Sequence, residues 1–481
     1  MKVFGVTRWW MFLLAATACA QTVGKDPGVM QAVQLARTWI EAQRAYEQIP
    51  GVSAAIVHDQ EVLWLGGFGT ADLSSGRRAD ARTLYSICSI SKLFTSIGVM
   101  QQRDSGKLQL DDPVRRHLPW FALKRAEGEG EITIAGLLAH ASGLPRESDY
   151  PYWTAPDFAF PTRKQVMERV SAQEPLYAPW EAFQYSNLGL TLAGEVLAAA
   201  SGTSCEEYAR TRILEPLGMR STSPDMPETE RGARLATGYS ARDRDGARKP
   251  LPFFKANAVA PAAGYASTAE DLARFASWQF RLLAQGGSEV LRATSLREMY
   301  RVHWAEPDFE TLRGLGFQIW RKDSKRFVGH GGGCPGYRSH FLLMPEEKIA
   351  TVFLSNAQGV EAERWAQVLY DVVAPAVKTA VKEPGRAKAP GASLAAYVGT
   401  YDAQPWGGEC AVVPWEDGLA LLPLPTFDPL KAMEKWKKAG EHRYRRLRKD
   451  DSLGEEIVFE MSPDGTAARF RQHSNTHLRL R

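Results

Sequence analysis

Tyr85-Ser86-Ile87-Cys88-Ser89-Ile90-Ser91-Lys92-Leu93-Phe94-Thr95 is the stretch around which the chain is organised. Ser89 stands three residues before Lys92, and a helix-forming run continues through Gln102. A helix starting at Ser89 puts Lys92 one turn along the same face. An amine then lies beside a hydroxyl that is a poor nucleophile by itself. The helix N-terminus adds free N–H groups and a positive dipole end where an oxyanion would develop. A capping serine followed by a solvated lysine satisfies the same spacing, so the rest of the chain has to decide.

Two further motifs bear on it. Tyr185-Ser186-Asn187 is the only Tyr-x-Asn in the chain, as Ser89 to Lys92 is the only Ser-x-x-Lys. A phenol whose pKa is lowered by a nearby ammonium relays protons between nucleophile and leaving group. A carboxamide two residues on can hold both the lysine and a substrate amide. The plain alternative is a core tyrosine and an asparagine capping the helix that opens at Leu188. The third motif, His330-Gly331-Gly332, lies in the glycine-rich run 329–336. On an edge strand such glycines admit a substrate backbone, and the imidazole fixes an anion or moves a proton. A glycine-rich turn reads the same way, and Lys438-Ala439-Gly440 meets a looser form of the pattern.

Composition sets the frame. The 481 residues are 44% hydrophobic and 24% charged, values of a globular chain. A net charge of +4 is too weak over this length to suggest nucleic acid. Lys2 and Arg8 precede an apolar run at 9–16 and then Ala18-Cys19-Ala20, the pattern of an export leader cut after residue 20. Acylation of Cys19 is the alternative to simple cleavage. The expected location is therefore periplasmic or secreted. No later stretch is long and apolar enough for a transmembrane helix. Four cysteines follow the leader, Cys88, Cys205, Cys334 and Cys410, enough for at most two bridges of unspecified pairing.

Along the chain, helices are expected at 29–46, from 89, at 132–142, 188–200, from 204 behind a capping box, at 267–283 and at 361–377. In the first, Gln43 interrupts the apolar stripe. A hairpin is expected at 52–68, and strands at 317–320, 327–330, 337–344 and 349–354. The loop 146–183 is rich in aromatics and prolines, suited to lining a cleft or covering the core. Residues 381–392 have linker composition. Beyond it, strands are expected at 397–401, 411–415, 419–422, 444–447, 456–461 and 467–471, with tight turns at Asp417-Gly418 and Asp464-Gly465. The divisions are a leader at 1–20, a domain at 29–380, the linker, and an all-β domain at 393–481. The fold class is α/β (α+β): an antiparallel sheet flanked by helices with a helical subdomain, then a small barrel or sandwich.

Taken in order, Ser89-x-x-Lys92, Tyr185-x-Asn187 and His330-x-Gly332 resemble the three motifs of the serine β-lactamase and penicillin-binding-protein superfamily. The Tyr-x-Asn and His-x-Gly forms are similar to its class C β-lactamase and serine-esterase branch. His140-Ala141-Ser142-Gly143-Leu144-Pro145, Glu215-Pro216-Leu217-Gly218-Met219 and Ser267-Thr268-Ala269-Glu270-Asp271-Leu272 extend the resemblance over about residues 30–380. It implies Ser89 as acylated nucleophile, Lys92 and Tyr185 as the acid/base pair, and Asn187, His330 and Gly332 in substrate binding. The N–H groups of Ser89 and Gly333 form the implied oxyanion hole. It also implies a Cys88–Cys334 bridge, as in a subgroup of class A carbapenemases; two free buried thiols are the alternative. The C-terminal domain resembles lipocalin-like appendages of some members. No Gly-x-Ser-x-Gly and no zinc-ligand spacing occurs, so neither an α/β-hydrolase nor a metal or other cofactor is expected.

The expected activity is hydrolysis of an ester or amide through a Ser89 acyl-enzyme, of carboxylesterase or D-amino-acid peptidase type. The expected partner is a small-molecule or peptide substrate, cell-wall peptides included. A β-lactamase or D,D-peptidase is the alternative within the resemblance, and His330 in place of lysine counts against it. A non-catalytic protein binding cell-wall peptides is the alternative of another class.

Overall fold

The computed structural model describes residues 22–123, 130–387, 389 and 391–481. The expected export leader and its cleavage site lie outside the described residues. The first sheet has nine antiparallel strands: β1 (Gly51–His58), β2 (Glu61–Asp72), β3 (Arg77–Arg78), then β6 (Trp304–Ala305), β7 (Leu312–Arg313), β8 (Gln318–Lys322), β9 (Lys325–Cys334), β10 (Tyr337–Met344) and β11 (Ile349–Ser355). Their order is β3-β2-β1-β11-β10-β9-β8-β7-β6. Two short strands, β4 (Tyr85–Ser86) and β5 (Ala266–Ser267), pair separately and tether the stretch before Ser89.

β1, β10 and β11 are apolar on both faces. Val52, Ala54 and Ile56 face one layer while Ala55 and Val57 face the other. The first layer is the helix α1 (Pro27–Tyr46) together with the Ala362–Lys382 helix. The second holds α2 (Ser91–Asp104), the Asn187–Ser201 helix and the Ala269–Gln285 helix. Each starts on a local signal or a tertiary one. Asp26 caps α1 ahead of Pro27, and Thr268 caps the Ala269–Gln285 helix.

Three expectations change. The helix expected from Ser89 starts at Ser91, because residues 88–90 form a 3₁₀ turn entered from Cys88 in the left-handed region (φ 52°). The helix expected at 132–142 shortens to Ile134–Leu138, since His140 is also left-handed (φ 57°). The Ser204 side chain caps the Glu207 N–H, but only this half of the expected capping box forms.

Beyond the Ala362–Lys382 helix, which runs into the expected linker, eight strands follow. They are β12 (Gly399–Asp402), β13 (Glu409–Trp415), β14 (Gly418–Leu424), β15 (Glu434–Gly440), β16 (Arg443–Leu447), β17 (Leu453–Met461), β18 (Ala467–Gln472) and β19 (Asn475–Leu478). Hydrogen bonds from Thr400 N–H to Arg481 O (2.8 Å) and from Leu480 N–H to Thr400 O (2.7 Å) bring first and last strands together into a near-closed barrel. Tyr401, Trp436, Tyr444, Phe459 and Phe470 fill its interior. β15 and β19 escape the sequence reading. In β15 only Trp436 is buried among lysines, and β19 is four residues with no buried side chain.

The barrel docks on α1. Gln31 exchanges two hydrogen bonds with the Glu416 backbone (3.0 and 2.7 Å), Gln43 accepts from Thr426 N–H (3.0 Å), and Trp39 Nε1 donates to Thr426 O (2.6 Å). The glutamine that breaks the apolar stripe of α1 is thus a docking contact. Trp39 also packs against Trp365 and Phe427, ring centroids 4.9 and 6.4 Å away. Trp39→Ala should lower stability by about 3–5 kcal/mol in equilibrium guanidinium unfolding, from the lost contacts and the cavity left behind.

Candidate active site

The 3₁₀ turn at Ser89 is held from several sides. Ile87 N–H donates to Tyr265 O (2.8 Å), Ser91 Oγ donates to Cys88 O (2.5 Å), and Ser339 Oγ donates to Ile87 O (2.9 Å). A disulfide joins Cys88 to Cys334 on β9. Cys205 and Cys410 are free and buried. A left-handed conformation costs a non-glycine residue roughly 1–2 kcal/mol, and these ties hold Cys88 in it.

Ser89 faces both partners that the sequence pairs with it. Lys92 Nζ lies 3.0 Å from Ser89 Oγ, and the Tyr185 hydroxyl lies 2.9 Å from it. Lys92 is 0% exposed. Its Nζ also donates to Asn187 Oδ1 (2.8 Å) and to Ala262 O (2.7 Å). Three acceptors around one nitrogen satisfy a buried ammonium. Burial nevertheless pushes its pKa well below the ordinary lysine range; the Glu147 carboxylate opposes this and the Arg146 guanidinium adds to it.

Tyr185 departs from expectation. Burial raises its phenol to about 12, and the Ser89 hydrogen bond and the Arg146 and Arg313 charges offset that only in part. The phenol is a neutral donor rather than a depressed one. Its ring is covered by His140 (centroids 4.4 Å apart) and by the Arg146 guanidinium (4.8 Å). His140 Nδ1 accepts from Ser186 N–H (3.1 Å), which sets the ring against Tyr185.

β9 is an inner strand, not the edge strand the sequence suggested. Its pairing with β8 stops at Gln318 opposite Gly329, so residues 330–334 present an open edge on that side. Gln318 Oε1 covers the Gly331 N–H (3.2 Å). N–H groups alternate between the two sides of a strand, so that of Gly333 points to the same open edge. Gly332 serves another need. A Cβ there would collide with Ile87 O, with Ser339 Oγ and with Cys88 Cβ at 3.1 Å. What approaches this glycine is the backbone of the Ser89 turn. His330 is 1% exposed, and its Nδ1 lies 2.5 Å from Gly331 O. Burial first, then the Lys92 charge, hold its imidazole well below the ordinary histidine range, so it is neutral at neutral pH.

The cleft at Ser89 has a volume of about 890 Å³. Arg146, Tyr185, Gln318 and His330 line it near Ser89, and it continues past β9 to the start of the Ala362–Lys382 helix and to Phe427, a residue from the barrel. Three of these lining residues escaped the sequence reading, Arg146, Gln318 and Phe427, and so did Glu147 behind the cleft wall. Arg146 and Glu147 carry a faint signal, adjacent charges at the start of an aromatic loop. Gln318 and Phe427 carry none, because only tertiary packing brings them to the cleft. Among the described residues, no group of His, Cys, Asp and Glu could hold a metal ion, and no helix is long and apolar enough to cross a membrane.

A family model described as Beta-lactamase matches residues 36–374. Putative beta-lactamase-like 1 of Homo sapiens is 29% identical over 360 residues, covering 71% of this chain and 69% of that protein. Beta-lactamase-like protein 2 of Dictyostelium discoideum is 25% identical over 366 residues, covering 75% and 66% respectively. The chain thus spans about two thirds of the length of these relatives. The octameric penicillin-binding protein homologue from Pyrococcus abyssi superposes with a TM-score of 0.62 at 23% identity, over 93% of this chain and 100% of that one. At that identity it bears on the fold alone. A D-stereospecific amidohydrolase from Streptomyces sp. superposes with a TM-score of 0.56 at 25% identity, over 72% of this chain and 97% of that one.

The Cys88–Cys334 bridge spans a sequence separation of 246 residues. Replacing both cysteines by serine should cost about 2–5 kcal/mol of stability in guanidinium unfolding. Peptide mapping without reduction should recover the two cysteines on one linked fragment.

Proposed function

The chain belongs to the Beta-lactamase family, and on that premise we propose a serine hydrolase that acts on an ester or amide through an acyl-enzyme on Ser89. The observation that carries this reading is Ser89 Oγ within hydrogen-bond reach of both Lys92 Nζ and the Tyr185 hydroxyl. Ser89 Oγ attacks the carbonyl carbon as its proton passes to a neutral Lys92 amine. The N–H groups of Ser89 and Gly333 hold the oxyanion. The C–N or C–O bond breaks as the Tyr185 phenol gives its proton to the leaving atom and regains one from Lys92. Water repeats the sequence in reverse order to release the acid. Asn187 orients Lys92, and Gly332 lets the turn and β9 close on each other.

Our reading of the substrate class is supported by the neutral His330 at the position of the family's lysine. It offers no permanent cation for a β-lactam carboxylate, which favours a carboxylesterase or D-amino-acid peptidase over a β-lactamase or D,D-peptidase. Similarity to a D-stereospecific amidohydrolase supports the amide side of that choice. The disulfide suits an oxidising compartment, in keeping with an exported protein acting on small molecules or cell-wall peptides.

A fluorophosphonate probe should label the wild-type protein on the peptide containing Ser89 and leave Ser89→Ala unlabelled. Ser89→Ala should lose about 10³-fold or more of the turnover of short-chain esters or D-amino-acid anilides. Equal turnover in the variant would overturn the mechanism. Faster hydrolysis of nitrocefin than of either other class would overturn the substrate reading.

A further inference from the structure

Behind Tyr185 and Lys92, and outside the wall of the cleft, lies a carboxylate that the mechanism above does not use. Glu147 Oε1 accepts from Asn187 Nδ2 (2.7 Å), and Oε2 accepts from the Tyr152 hydroxyl. Its side chain is 19% exposed, and Arg146 Nε lies 3.3 Å from Oε1. Asn187 therefore sits between a carboxylate and an ammonium. Only one orientation of its amide satisfies both: Oδ1 toward Lys92 and NH₂ toward Glu147. The reverse orientation sets donor against donor and acceptor against acceptor.

The placement of Glu147 is itself built. Gly143 turns the chain just before it with φ 73°, and a Cβ there would collide with Tyr177 O. Gln173 Nε2 donates to Glu147 O (3.1 Å). The Tyr152 ring that supports the carboxylate packs on Phe160, centroids 5.0 Å apart. The aromatic loop thus has a task beyond covering the core: it presents one charge to the back of the site.

We propose that Glu147 is a positioning residue of the nucleophile, fixing the Asn187 carboxamide toward Lys92 and governing with its charge the proton held on Lys92. The proposal rests on the Ser89 acyl-enzyme reading. Among the described residues, the titratable and charged groups around Lys92 are Glu147, Arg146, Tyr185, His140 and His330. Glu147 is the one anion among them. Burial and the Arg146 charge both favour the neutral amine that accepts the Ser89 proton, and Glu147 opposes them. Without that carboxylate, Lys92 loses its proton at lower pH. The acidic limb of kcat/KM, which follows the base of the free enzyme, then moves down.

The test is the pH profile of ester or D-amino-acid anilide hydrolysis for the wild type, Glu147→Gln and Glu147→Asp. Gln keeps the shape and an acceptor for Asn187 but removes the charge. Its acidic limb should move down by about one pH unit. Asp keeps the charge but draws it back from Asn187, so kcat should fall while the limb stays near that of the wild type. An unmoved limb in folded Glu147→Gln overturns the proposal. So does an Asp variant whose limb moves down as far as about one unit, which decides the matter even where the Gln variant does not fold. A wild-type protein without Ser89-dependent turnover refutes the acyl-enzyme reading instead.

Discussion

The burial of one lysine organises the site. Lys92 Nζ has no contact with solvent, so each of its hydrogens needs an acceptor inside the protein. Ser89 Oγ, Asn187 Oδ1 and Ala262 O supply them from three segments that meet only in the folded chain. A charge buried this way is costly, and removing any acceptor leaves the cost uncompensated. The same cost lowers its pKa well below the ordinary lysine range. The contacts that satisfy the lysine and the burial that shifts its proton affinity are the same.

Around Lys92 the protein uses rigid devices to bring two bodies close. The disulfide, the Ser339–Ile87 hydrogen bond and the bare backbone of Gly332 press β9 against the Ser89 turn. β8 stops short, and the strand edge that remains open faces the cleft. The β8 pairing ends at Gly329, so that open edge is five residues long, 330–334.

The barrel is more than an appendage in space. Its strands bury Ala411, Val413, Ala420 and Leu422 in the same apolar cluster as α1 and the Ala362–Lys382 helix. Phe427, which follows β14, reaches the cleft wall and lies under the Arg364 guanidinium at 3.8 Å. Aromatic side chains fill its interior, and its packing against the rest of the chain is made from its outer surface.

Much of this was legible locally. The apolar strand runs at 349–354 and 337–344, the cap at Ser204, and the residue types of the three motifs follow from short-range rules of geometry and chemistry. The sequence by itself determined which groups exist to do the chemistry, and it set Ser89 within a turn of Lys92, and Tyr185 beside Asn187. Tertiary structure decided their state. Lys92 meets Asn187 and Ala262 across 95 and 170 residues, and that meeting creates the burial that shifts its pKa. The raised phenol of Tyr185, the neutral His330, the orientation of Asn187 against Glu147 and the place of Phe427 all follow from such contacts. Proton affinity depends on desolvation and neighbouring charge, and those are properties of the packed interior that no local stretch of sequence carries.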